Sequence, residues 1–208
     1  PVEKFNNRRR YIITLLTVAI VNIVFVLLWV WTVKDLMIPL REGTSTGGQL
    51  IGIIKNPIEY FSTLKNTLFL NGKMYARGII GSLGWLDTEL PNTFIVIYYS
   101  LLVVFASVDD NSNVKVYFKD RIIFLLASFG GALAVASLIY LTWTPLNQRV
   151  IEGIQGRYFI PLLPCFFLVL YNRKIKFSTE TTKAIMIFFT VVSLLFTLRV
   201  LMNRYYGI

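Results

Sequence analysis

The sequence predicts an all-α fold, a polytopic bundle of membrane-spanning helices, from three observations. Hydrophobic residues make up 55% of the 208-residue chain. Charged residues make up only 15%, whereas soluble domains carry about 25%. Long uncharged stretches recur between short basic segments, which is the pattern of a membrane protein with several spans. We therefore expect a single transmembrane domain.

Five of the uncharged stretches are expected to cross the membrane. They lie near residues 11–33, 91–108, 122–144, 158–172 and 184–202. The first has 23 uncharged residues, enough to cross a core of about 30 Å at about 1.5 Å per residue. The fourth and the fifth have only 15 residues each between charges, or about 22 Å of helix.

A long connection, residues 34–90, separates the first two spans and is predicted to hold one or two short amphipathic helices. Asn56-Pro57-Ile58-Glu59 has the pattern of a helix start, with Asn as the cap and Pro at the first helical position. Asn71-Gly72 is the expected stop. The glycines of residues 78–84 recur every third residue, which favours close backbone packing or a tight loop.

The distribution of basic residues predicts a cytoplasmic N-terminus. The short segments assigned to the inside are all basic, whereas the short segment between the third and fourth spans holds only Arg149 and Arg157. Five spans then place the C-terminus outside, together with the 34–90 connection. The first residue is Pro1, not Met, which leaves open a processed product or the C-terminal part of a longer protein.

Composition also excludes several classes of function. The net charge of +10 belongs to the membrane-topology pattern, so no nucleic-acid partner is expected. The chain has no histidine, and Cys165 is its one cysteine, so neither a metal site, a catalytic thiol nor a cofactor is predicted. Acid–base chemistry on the outer face would fall to carboxylates.

Asp87 and Glu89 are the candidate catalytic carboxylates. They lie in Gly84-Trp85-Leu86-Asp87-Thr88-Glu89-Leu90-Pro91, directly before the second span. Partial loss of water there would raise the pKa of a carboxyl unless a cation pairs with it. Two interpretations stay open: Asp87 caps the second span and pairs with an arginine, or one of the carboxylates acts in catalysis.

Arg157 is the candidate anion-binding residue, in Gln155-Gly156-Arg157-Tyr158-Phe159-Ile160-Pro161-Leu162-Leu163-Pro164. Its guanidinium would stand at the membrane boundary, and guanidinium binds phosphate bidentately. Arg199 has an equivalent position after the fifth span. Both arginines either snorkel to the surface or face a cavity below it. Pro161 and Pro164 are expected to kink or break the fourth helix, which favours the cavity.

Together the 84–91 and 155–164 motifs resemble an uncharacterised family of bacterial polytopic membrane proteins that accompany genes for cell-surface polysaccharides. This resemblance covers most of residues 34–173. The Arg157-Tyr158 pattern followed by prolines at a helix end also resembles membrane glycosyltransferases of the GT-C fold, over a short segment only. Those enzymes use polyprenyl-phosphate sugars at the outer face and place a catalytic acidic residue in the first outer loop.

The resemblance implies a bacterial inner-membrane protein of cell-envelope polysaccharide or glycolipid assembly. The site residues then fall into two groups, catalytic Asp87 and Glu89, and substrate-binding Gln155, Arg157, Tyr158, Trp85 and Arg199. The expected partners are membrane lipids, a polyprenyl-phosphate carrier, and further copies of the chain or other envelope-assembly proteins. Two alternatives stay open: a non-catalytic scaffold or assembly partner, and a transporter or flippase. No inverted repeat favours the latter.

Overall fold

A computed structural model of the protein describes residues 8–33, 41–108, 115–172, 175 and 178–207. The chain divides into two compact units, Pro1–Leu40 and Arg41–Ile208. The first unit contains helix α1, Arg8–Val33. The mean hydropathy of α1 over Ile12–Val33 reaches 2.7. A helix this apolar on all its faces suits a lipid environment.

Helices also dominate the second unit. Its elements are α2 (Thr46–Lys55), α3 (Pro57–Ile80), β1 (Ser82–Leu83), β2 (Thr88–Glu89), α4 (Asn92–Ser107), α5 (Phe118–Thr142), a 3-10 helix (Gly156–Leu162), α6 (Leu163–Leu168) and α7 (Thr179–Tyr206). The two short strands pair antiparallel, with Ser82 opposite Glu89 and Leu83 opposite Thr88. The 3-10 helix packs mainly on α3, and α6 packs on α5.

Membrane character is supported, but the count of five spans is not confirmed. Among the described residues, three helices are long and apolar enough to cross a membrane, within α1, α5 and α7. The predicted second span, residues 91–108, corresponds to α4, whose 16 residues extend about 24 Å. The predicted fifth span, residues 184–202, lies within α7, whose 28 residues begin before it and end after it.

The 158–172 stretch differs from its prediction, because it is not one continuous spanning helix. It begins inside the 3-10 helix and continues into α6, which has only six residues. Pro161 lies inside the 3-10 helix and Pro164 in the first turn of α6. A proline lacks the backbone N–H that an α-helix interior requires, so the predicted break near this end of the helix is confirmed.

The 34–90 connection was predicted to hold short helices, and the start of one is confirmed. The Asn56 side chain accepts a hydrogen bond from the Glu59 N–H, and Pro57 opens α3. The predicted stop at Asn71-Gly72 is wrong, because α3 has 24 residues and ends at Ile80. One face of the last turns of α3 is buried: Tyr75 is 7% exposed, and it belongs to the core with Ile151 and Ile154.

Buried hydrogen bonds fix the connection from α5 to the 3-10 helix onto α2 and α3. Gln49 Nε2 donates to the Thr144 carbonyl at 3.0 Å, and Thr144 is fully buried. Thr67 Oγ1 accepts from the Ile151 N–H at 2.8 Å. Thr144 Oγ1 accepts from the Glu152 N–H at 3.2 Å. These bonds provide partners for backbone groups that are buried away from water. They also fix the position of the chain that leads into the 3-10 helix.

Candidate functional site

The acidic motif, residues 84–91, provides the turn and the second strand of a tight β-hairpin, residues 82–89, at the C-terminal end of α3. Its turn contains Gly84 at φ +60° and Leu86 at φ +67°. A positive φ is unusual for leucine, so the paired strands must hold the turn in place. The Leu86 N–H donates to the Leu83 carbonyl at 3.1 Å, and the Leu90 N–H donates to the Gly81 carbonyl at 2.8 Å. The glycine spacing therefore did mark a tight loop.

Both candidate carboxylates of the hairpin are paired with arginines. Arg204 Nη2 on α7 donates to Asp87 Oδ2 at 3.1 Å. Arg77 Nη2 on α3 donates to Glu89 Oε2 at 2.7 Å. The predicted arginine partner of Asp87 is thus present. Asp87 does not cap α4, the helix of the predicted second span, because the N-cap of α4 is Pro91 and has no side-chain hydrogen bond.

The ion pair changes the acidity of Asp87. Partial loss of water alone would raise the pKa of the carboxyl, as expected for its place before a span. Hydrogen bonds from the backbone and from Arg204, together with the charge of Arg204, outweigh that effect and hold the pKa of Asp87 below its ordinary value. Asp87 is therefore ionised at neutral pH.

The basic motif, residues 155–164, which we call the arginine segment, contains the whole 3-10 helix and the first two residues of α6. Arg157 is exposed, and its Nε donates to Gln155 Oε1 at 2.6 Å. In the part of the chain that the structure describes, no carboxylate lies within ion-pair distance of Arg157. Tyr158 is 39% exposed beside it. Arg157 is thus oriented by Gln155, and none of the described carboxylates neutralises its charge.

Two glycines let the arginine segment pack closely on α3. A Cβ on Gly156 would lie 2.1 Å from the Tyr75 carbonyl oxygen and 2.6 Å from the Gly78 carbonyl carbon. A Cβ on Gly78 would lie 3.2 Å from the Gly156 nitrogen. The 3-10 helix can therefore lie directly against the backbone of α3 only because both positions lack a side chain. The hairpin follows the same end of α3 four residues after Gly78.

An apolar cavity of about 490 Å³ lies in the second unit, and both motifs contribute to its wall. The hairpin and its end contribute Leu83 and Leu90, and the arginine segment contributes Ile160, Leu163 and Pro164. The remaining wall comes from α3, α4, α6 and α7, through Ile79, Ile80, Phe94, Tyr98, Leu102, Phe167, Thr190, Ser193, Leu194 and Thr197. Its volume is typical of sites that hold one small molecule or part of a larger one.

The structure places none of the seven predicted site residues in the wall of this cavity, although six of them belong to the two motifs that contribute to it. Trp85 lies at the tip of the hairpin turn and is 93% exposed. Arg199 is exposed on α7, in a shallow depression with Phe196 and Asn203. Neither Trp85 nor Arg199 lines the cavity. Within the described ranges, no three His, Cys, Asp or Glu side chains come close enough together to hold a metal ion.

Sequence reasoning missed the polar side chains that α7 presents to the cavity. Thr190, Ser193 and Thr197 follow one another at helical spacing and all line the wall. Ser193 is 7% exposed, and its Oγ has no hydrogen-bond partner among the described residues. The signal was available, since residues at i, i+3 and i+7 lie on one helix face. It was overlooked because isolated hydroxyls are common in apolar helices.

The fold and its exposed apolar helices define an α-helical membrane protein. The chain belongs to the family described as "Predicted membrane protein (DUF2142)", whose family model matches residues 1–166. The resemblance to an uncharacterised membrane family is thereby confirmed. The matched residues include the hairpin and the arginine segment but end before α7. No curated protein and no solved structure matches the chain.

Proposed function

We propose that this membrane protein binds a lipid phosphate at the outer face of the bacterial inner membrane, with the apolar chain in the cavity and the phosphate on Arg157. The proposal assigns it a glycosyltransferase-like role in cell-envelope polysaccharide or glycolipid assembly. Its ligand is then a carrier lipid, either a polyprenyl phosphate or another lipid with a phosphate headgroup.

The spacing of residues on the 3-10 helix carries this proposal. In a 3-10 helix, residues three apart lie on the same edge. Arg157 and Ile160 have this spacing within the 3-10 helix, and Ile160 lines the cavity together with Leu163, the first residue of α6. Arg157 therefore continues the edge that lines the cavity, one turn or about 6 Å beyond Ile160. An amphiphile whose chain contacts Ile160 would present its headgroup near the guanidinium.

The chemistry of Arg157 fits a phosphate. Guanidinium binds phosphate through two parallel N–H bonds, and these charge-assisted bonds are stronger than neutral ones. The contact from Arg157 Nε to Gln155 limits the motion of the side chain, and both terminal nitrogens lack partners among the described residues. The short basic segments of the sequence favour a cytoplasmic N-terminus and an outer location for this site.

In the same proposal Asp87 and Glu89 assist at the sugar or the acceptor. Each would first have to leave its arginine, because the ion pair with Arg204 or Arg77 occupies an oxygen of the carboxylate. These ion pairs also favour a second candidate function, a non-catalytic scaffold or assembly partner. There the pairs hold the hairpin against α3 and α7, and the lipid stabilises the assembly without being transformed.

Binding of a lipid phosphate to Arg157 variants in nanodiscs tests the proposal. We expect Arg157→Ala to weaken binding by about 10- to 100-fold, because a hydrogen bond to a charged group is lost. Arg157→Lys should retain part of the affinity, because it keeps the charge and loses the bidentate geometry. Arg149→Ala is the matched control, since Arg149 is also exposed in the connection that leads to the 3-10 helix.

Two outcomes separate the candidate functions. Unchanged affinity in a folded Arg157→Ala protein would remove the lipid-phosphate site. The scaffold would be favoured over the enzyme by two results together. Lipid binding would depend on Arg157 but be unchanged by Asp87→Asn and Glu89→Gln, and the wild-type protein would transfer no sugar.

A further inference from the structure

We infer that α2 and α3 lie along the surface of the membrane at the level where α5 ends. Their outward apolar face then enters the acyl region, and their lysines reach anionic lipid headgroups. The partner of this face is thus the interfacial layer of an anionic bilayer and not a second protein. The inference goes beyond the proposed function and does not depend on the lipid-phosphate site at Arg157.

The polarity of α3 is the reverse of that of a helix on a soluble domain, whose apolar stripe faces the core. The side of α3 that is buried in the protein carries mostly polar or small residues, Tyr60, Thr63, Thr67 and Gly78. The opposite side carries large apolar side chains that are 62–87% exposed, Ile58, Phe61, Leu68 and Phe69. α2 also exposes apolar side chains, Leu50, Ile51 and Ile54. A continuous apolar surface of this kind marks contact with a membrane or a partner.

Contacts with α5 place α2 and α3 at the boundary of the membrane. α5 is long and apolar enough to cross a membrane. Near the C-terminal end of α5, the ring of Tyr60 packs on Tyr140 with centroids 5.2 Å apart, and the Tyr60 hydroxyl lies 2.6 Å from Ser137 Oγ. Gln49 of α2 donates to the Thr144 carbonyl, just beyond that end. Both helices are therefore fixed where α5 leaves the hydrocarbon core.

The lysines distinguish a helix that lies along the membrane from one that crosses it. Lys65 is exposed near the middle of α3, beside the apolar face, and Lys73 is exposed two turns later. A crossing helix would carry Lys65 into the hydrocarbon core, which is costly. A helix parallel to the surface lets both ammonium groups reach the headgroups together. Glu59 is the one acidic residue of α2 and α3, so their net positive charge favours anionic lipids.

Depth-dependent quenching of fluorescent labels tests the orientation of α3. The labels are placed on Ile58→Cys and Phe69→Cys, in a Cys165→Ala protein in nanodiscs of phosphatidylcholine and phosphatidylglycerol. Both positions are at least 80% exposed, so a label there replaces little packing. We expect a nitroxide near the start of the acyl chain to quench both labels equally, and more than a nitroxide near its end. Leu126→Cys is the matched control, because Leu126 is 68% exposed in the interior of α5 and should show the opposite preference.

Three results overturn the inference. Labels quenched by iodide in water, and by neither lipid, would place the apolar face in solvent. Different depths for the two labels would show that α3 crosses the membrane, because Ile58 and Phe69 are about 16 Å apart along the helix. Labels shielded from both iodide and lipid would place a protein on this face.

The headgroup preference tests the lysines separately. We expect the Phe69→Cys label to be quenched more by nitroxide-labelled phosphatidylglycerol than by the matching phosphatidylcholine. Lys55→Gln and Lys65→Gln should each reduce this preference, by up to about fivefold for a lysine at the surface. Lys115→Gln is the control, because Lys115 is exposed near the other end of α5, and it should leave the preference unchanged. Equal quenching by the two lipids in the protein with all its lysines overturns their assignment to anionic headgroups.

Discussion

The hairpin and the arginine segment lie at the same end of α3 but are held there by different forces. Side-chain ion pairs tie the hairpin to α3 and α7, and both pairs are partly exposed. Backbone contact with Gly78 and buried hydrogen bonds anchor the arginine segment and the chain that leads to it. Arg157 of the arginine segment has no acidic partner among the residues that the structure describes, whereas Asp87 and Glu89 of the hairpin are both paired with arginines.

This difference bears on function. A charge that is neutralised within the fold contributes to the structure, and using it for chemistry means breaking the pair. A charge held on a rigid support without a counter-charge is available to a ligand. The arginine segment thus has the features of a binding element, and the hairpin those of a supporting one. Three substitutions test this assignment through stability, because the two types of anchor differ in strength and in pH dependence.

The largest effect is expected for Gly156→Ala. The new Cβ would lie 2.1 Å from the Tyr75 carbonyl oxygen, so the 3-10 helix must move away from α3. Overpacking against backbone should lower the free energy of unfolding by about 3 kcal/mol, the upper end of the usual range. The loss of stability is measured by heating the detergent-solubilised protein and monitoring the folded fraction by size-exclusion chromatography.

Gly130→Ala is the control for that substitution. No atom lies within 4 Å of a Cβ at Gly130, and alanine favours a helix over glycine by about 0.5–1 kcal/mol. The control should therefore be neutral or stabilising. A Gly156→Ala protein as stable as wild type would show that the arginine segment does not depend on this backbone contact.

An intermediate effect is expected for Thr67→Val. The substitution keeps the shape but removes the hydroxyl that accepts from the Ile151 N–H, and both residues are buried. A buried donor left without a partner costs about 1–3 kcal/mol, independently of pH. Thr142→Val is the control, because the exposed Thr142 donates only to the Leu138 carbonyl of its own helix. Equal stability of the two variants would contradict the proposed anchor.

The same distinction explains which features were predictable from sequence. The start of α3 was predictable because Asn56, Pro57 and Glu59 act on one another within a single turn. Its end was not, because Asn71-Gly72 stops a helix only where packing does not override it, and here Tyr75 and Gly78 pack on residues far along the chain. Hydrogen bonds within one turn can be predicted from neighbouring residues, whereas packing between distant parts of the chain cannot.

The site shows the same division. The two motifs could be selected because their charges border apolar runs, and Pro161 marked the broken helix. Arg204 as the partner of Asp87 is 117 residues away, and no periodicity connects the two. The cavity wall on α7 was equally hidden, because it depends on which face α7 turns toward α4, and the sequence of an apolar helix does not specify that face.

The smallest effect is expected for Asp87→Asn, and its pH dependence identifies the hairpin anchor. The pKa of Asp87 is held below its ordinary value of 3.8, so the ionised carboxylate stabilises the fold at neutral pH. That contribution is fully present above the ordinary value and is lost as pH falls through the lower folded-state pKa. At pH 7 the variant should therefore unfold at a Tm lower by no more than about 2 °C, and this difference should vanish in acid and shrink in high salt.

Arg204→Gln should show the same small loss, and combining it with Asp87→Asn should add little. A large, salt-independent loss at neutral pH would instead make the hairpin as firmly anchored as the arginine segment, and the distinction between support and binding element would fail.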